Sequence, residues 1–62
     1  MNEKIFKKVF TGFNNALHDG KEFKKSLDYW SYEFSEMAGI SKEETRRILL
    51  TAYRETLYKK VR

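Results

Sequence analysis

The chain has no cysteine and no proline, and among its 62 residues only three glycines and one histidine. Each scarcity excludes something. Without cysteine there is no disulfide to brace a small core, no thiolate metal site and no thiol nucleophile. Without proline, nothing forces a break inside a helix. No apolar run approaches the ~18 residues that a membrane-spanning helix needs. Lys4, Lys7 and Lys8 interrupt the apolar residues at the N-terminus, which speaks against a secretory signal. The expectation is a cytoplasmic protein without a membrane partner.

What is present is aromatic and charged: 16% Phe, Tyr and Trp, and 35% Asp, Glu, Lys and Arg. A chain this short buries only ~60% of the surface its unfolded form exposes, so stability is marginal. Large rings that bury much area per residue, good helix packing and self-association are the remaining aids. Residues 1–62 form one domain at most, with no repeat, linker or low-complexity tract.

Hydrophobic periodicity predicts three helices, over about 2–18, 21–38 and 41–60, hence an all-α three-helix domain. In the first, Ile5, Phe6, Val9, Phe10, Phe13, Ala16 and Leu17 share a stripe, with Lys4, Lys7, Thr11, Asn14 and His18 opposite. Gly12 inside it costs up to ~1 kcal/mol relative to alanine, which marks a close helix–helix approach. In the second, Phe23, Leu27, Trp30, Phe34, Met37 and Ala38 make the stripe. Tyr29 and Tyr32 fall on the far face, beside Glu22, Lys25 and Glu36, either as rings lying on the helix surface or as part of a partner patch. The expected core holds Phe6, Val9, Phe10, Phe13, Leu17, Phe23, Leu27, Trp30, Phe34, Ile40, Ile48 and Ala52.

The third helix carries two stripes. Thr45, Ile48, Leu49, Ala52 and Thr56 make one; Leu50, Tyr53, Leu57 and Val61 make another, displaced by ~100° or more. Two companion helices hardly cover both, so the excess predicts contact with another chain. Leu50, Tyr53, Leu57 and Val61, with Tyr29 and Tyr32, are the expected partner interface. A homodimer or a protein hetero-complex would satisfy it.

The joints have recognisable chemistry. Gly20 and Gly39 reach the left-handed conformation that ends a helix without a Cβ penalty. Asp19, with Glu22 three residues on, is the expected cap of the second helix. Ser41 and Glu44 have capping-box spacing for the third, with Glu43 and Glu44 favouring its dipole. The window from Phe34 to Ile48 resembles the helix-turn-helix family of DNA-binding proteins. Phe34 and Ser35 match its first helix, Gly39-Ile40-Ser41 its turn, and Ile48 its core anchor; Thr45 departs from the usual apolar residue. The resemblance implies that Lys42, Glu43, Arg46 and Arg47 face the major groove. Joining any two helices calls for the same turn chemistry, and two leading glutamates would repel phosphates.

The net charge of +4 is uneven. Residues 1–20 hold three Lys and two acids; residues 21–38, three Lys and four acids; residues 39–62, seven Lys or Arg and three acids. The excess thus lies in the last helix and its tail, where Lys42, Arg46, Arg47 and Arg54 would be the nucleic-acid contacts. Lys59, Lys60 and Arg62 also complement the helix dipole. Glu44 with Arg47, and Glu55 with Lys59, are spaced to pair and lower the free charge.

No catalytic constellation appears. His18 has only Asp19 beside it, and Glu33 and Glu36 sit on an exposed face. No phosphate-binding glycine loop or metal-ligand spacing is present, no cofactor is implied, and a chain this small has little room for a pocket. The sequence therefore reads as a non-enzymatic helical regulator or adaptor acting through protein–protein contact. The alternative is a helix-turn-helix-like nucleic-acid-binding regulator. The richness in Lys, Phe, Tyr and Asn fits a phage or mobile-element protein.

Overall fold

Three helices form, α1 (Glu3–His18), α2 (Phe23–Ala38) and α3 (Lys42–Val61), in a computed structural model that describes residues 3–61, with side chains as far as residue 57. There is no strand among the described residues, so the all-α three-helix expectation holds. The described helix bounds differ from the expected ones by at most two residues.

The α1–α2 joint is a Schellman motif. Gly20 adopts φ 86°; its N–H donates to Leu17 O at 3.0 Å, and the Lys21 N–H donates to Ala16 O at 3.1 Å. The second joint is the simpler left-handed cap. Gly39 sits at φ 70° with its N–H on Ser35 O at 2.9 Å, and the Ser35 hydroxyl donates to Ile40 O at 2.6 Å. Ser41 then caps α3 by accepting the Glu44 N–H at 3.2 Å. Two capping expectations are corrected. The α2 cap position is Glu22, without a side-chain hydrogen bond, so Asp19 does not serve there. The Glu44 carboxylate binds Arg47 rather than closing the box on Ser41.

α2 is the central element, with α1 and α3 each packed along it. Phe34 touches Phe6 (6.1 Å between ring centroids) near one end, and Phe23 touches Phe13 (5.7 Å) near the other, so α1 runs antiparallel to α2. On the other flank Ser31 meets Thr45 and Phe23 meets Tyr53 (5.1 Å), so α3 also runs antiparallel to α2. Val9, Phe13, Leu27, Phe34 and Leu49 are the buried apolar residues. Four of these five were expected. Leu49 takes the place given to its neighbour Ile48, which is half-buried, because α2 approaches α3 from the Thr45–Leu49–Tyr53 side.

Three hydroxyl residues are buried where the helices meet: Ser26, Ser31 and Thr45. The Thr45 hydroxyl, with one proton to give, lies 2.9 Å from Ser31 O and 2.7 Å from Lys42 O. This explains a threonine where an apolar anchor was expected: a small β-branched side chain fits a tight contact, and its hydroxyl binds a carbonyl across the interface. The Ser31 hydroxyl itself is buried with no partner among the described residues.

Candidate interaction surfaces

The residues singled out in the sequence do not converge on one place. Tyr53 is half-buried between Phe13 (5.9 Å, edge-on) and Phe23, a three-ring cluster that joins all three helices. Leu50 is half-buried against the same core. The upper part of the second stripe is therefore covered inside the protomer, contrary to the expectation that two companion helices would leave it bare. The reason is aromatic reach: Phe13 and Phe23 extend far enough to meet α3 beyond the line where its backbone contacts α2.

Leu57 is different. It lies one turn past Tyr53 and remains 45% exposed. α3 has 20 residues against 16 in each companion, so it is longer by about 6 Å. Its last turn carries Val61, whose side chain lies outside the described residues, as do those of Lys59, Lys60 and Arg62. Tyr29 (55% exposed) and Tyr32 (51%) sit on the outward face of α2, as the helical period requires. Tyr29 also packs edge-on against Trp30 at 5.1 Å.

The four cations assigned to nucleic-acid contact are mostly engaged. Lys42 Nζ lies 2.8 Å from Asp28 Oδ1, and Arg46 reaches the same oxygen at 3.9 Å. Both side chains thus lean toward α2. The hydrogen bond and charge of Lys42 hold the Asp28 carboxyl below its ordinary pKa; desolvation opposes them, and the charges of Arg46 and Lys24 each add less than desolvation removes. Arg47 is bound to Glu44. Only Arg54 has no ion pair among the described residues. Among the described residues the exposed face of α3 presents Lys42, Arg47 and Arg54 against Glu43, Glu44 and Glu55, so its charges balance there.

One concavity exceeds what so short a chain was expected to hold. A half-open groove of about 610 Å³ runs between the end of α1 and the start of α2, lined by Ala16, Lys21, Glu22, Lys25, Ser26, Tyr29 and Trp30. No sequence signal announced it; Trp30, one of its walls, is also packed closely against Gly12. No group of three or more His, Cys, Asp or Glu that could hold a metal occurs among the described residues, and no described helix is long and apolar enough to cross a membrane.

No family model, curated protein or solved structure matches this chain. Its function must therefore be read from its own surfaces.

Proposed function

We propose that the protein is a small, non-enzymatic helical adaptor or regulator that acts by protein–protein contact, with the projecting end of α3 as its interface. The exposure of Leu57 on a helix that outruns its companions carries this reading. In the sequence Leu57 is followed by Val61 at i+4, the spacing of helices that dock against another helix. The exposed Tyr29 and Tyr32 supply a second surface of a type enriched at interfaces.

The nucleic-acid alternative has less support. A helix-turn-helix crosses its two helices at about 90–120°, whereas α2 and α3 run side by side from Ser31–Thr45 to Phe23–Tyr53. Lys42 and Arg46 share the Asp28 carboxylate, which offsets their charge.

Sedimentation equilibrium over a range of concentrations tests the proposal, with the Leu57→Glu variant alongside. Association of the wild type, or its capture of a protein ligand, with loss of either in the folded variant, supports it. Identical behaviour of both proteins in both assays overturns it.

A further inference from the structure

The charge count by segment conceals a uniformly signed surface on α1. Its acids sit at the margins, Glu3 at the start and Asp19 just past the end. Between Lys4 and His18 the helix contains no Asp or Glu at all. Lys4, Lys7, Lys8, Thr11, Asn15 and His18 are all exposed, and the helical period gathers them on one face. From Lys7 to His18 that face extends about 17 Å along the axis. Lys7 and Lys8 have no ion pair among the described residues, in contrast to Lys42, Arg46 and Arg47 on α3.

The opposite face of α1 decides what kind of partner fits. Val9 and Phe13 are buried, and Phe6 stacks on Phe10 (5.4 Å) while touching Phe34. No apolar side chain is left on the cationic face to insert into a bilayer, and no ring is left to anchor a protein partner or stack on unpaired bases. What remains is a row of ammonium groups interleaved with neutral hydrogen-bonding side chains. That combination suits a regular polyanion contacted from outside, and the phosphate backbone of duplex DNA is such a partner.

We infer that the outer face of α1, centred on Lys7, Lys8, Thr11 and Asn15, is a sequence-independent contact surface for the backbone of duplex DNA. This surface is separate from the α3 end proposed above and from the turn that resembles a helix-turn-helix. Its contacts are electrostatic and carry no base readout.

The test is fluorescence anisotropy with a labelled mixed-sequence DNA duplex, titrated at several salt concentrations, on the full chain. Wild type, Lys7→Gln/Lys8→Gln and Arg47→Gln/Arg54→Gln are compared, with circular dichroism confirming that each is folded. The expected result is binding at low salt that weakens as salt rises. In the lysine variant the slope of log K against log salt is shallower by about one per lysine removed. The α3 variant retains the wild-type slope. Absence of binding at low salt overturns the inference, as does an unchanged slope in the lysine variant. A loss confined to the arginine variant overturns it too and moves the contact to α3. Stronger binding to anionic lipid vesicles than to DNA, with the same lysine dependence, replaces the partner.

Discussion

The Trp30 ring is packed directly against Gly12: a Cβ built at that glycine would have three indole carbons within 2.8 Å. A ring from the central helix thus occupies the place where any other residue of α1 would carry its side chain. Gly12 weakens its own helix, and the close approach of α2 is what offsets this. Gly12→Ala improves helix propensity by up to about 1 kcal/mol but must displace a bulky ring, an overpacking that costs about 1–3 kcal/mol. The expected outcome is a net loss of stability of roughly 1 kcal/mol by urea denaturation. Trp30 fluorescence shifts to the red as the ring lifts. The loss shrinks when Trp30 is also replaced by Leu, because the two positions are coupled.

The buried hydroxyls at the α2–α3 contact predict substitutions of opposite sign. Thr45→Val keeps the shape but removes the donor to Ser31 O and Lys42 O, and should lower stability by about 1 kcal/mol. Ser31→Ala removes a buried hydroxyl that binds nothing among the described residues and places a better helix former there. It should be neutral or stabilising, by up to about 1 kcal/mol. Chemical denaturation of the two variants checks the pair.

Tyr53 and Leu57 belong to one stripe of the sequence yet should respond differently. Tyr53→Ala opens the three-ring cluster and should cost about 2–4 kcal/mol at any protein concentration. Leu57→Ala at low concentration should change stability by less than about 0.5 kcal/mol. Its effect should grow with concentration as the associated form becomes populated. Thermal unfolding across a concentration series separates the two.

The ion pair at Asp28 predicts a pH dependence of definite sign. Lys42 holds the Asp28 carboxyl below its ordinary value in the folded chain, so the unfolded chain binds the proton more readily. The stabilisation is fully present above the ordinary aspartate pKa of about 3.9 and is lost as pH falls through the lower, folded value. Asp28→Asn should therefore be less stable than wild type at neutral pH, by a small amount that added salt reduces, and equal to it at strongly acid pH. Melting temperatures at a series of pH values and two salt concentrations measure this.

Much of the architecture could be read along the chain. The three helices, the left-handed glycines at 20 and 39, the Ser41 cap and the outward direction of Tyr29 and Tyr32 follow from signals within about five residues of each position. Even the close approach at Gly12 was visible, as a glycine where a helix would prefer alanine. The candidate surfaces were less legible. The second stripe of α3 looked like one interface, yet Tyr53 and Leu50 pack inward and Leu57 does not. Arg46 looked outward and leans on Asp28. The cationic face of α1 was diluted in a segment count by acids at its two ends.

The amino-acid order by itself determined where the chain coils and turns, because helix hydrogen bonds and caps join residues only a few positions apart. Folding in three dimensions decided that α2 lies at the centre, that Leu49 rather than Ile48 is sealed, and that Leu57 stays exposed while Tyr53 does not. Those outcomes depend on which distant ring or carbonyl arrives beside a given arc of helix, and periodicity describes the arc without naming its neighbour.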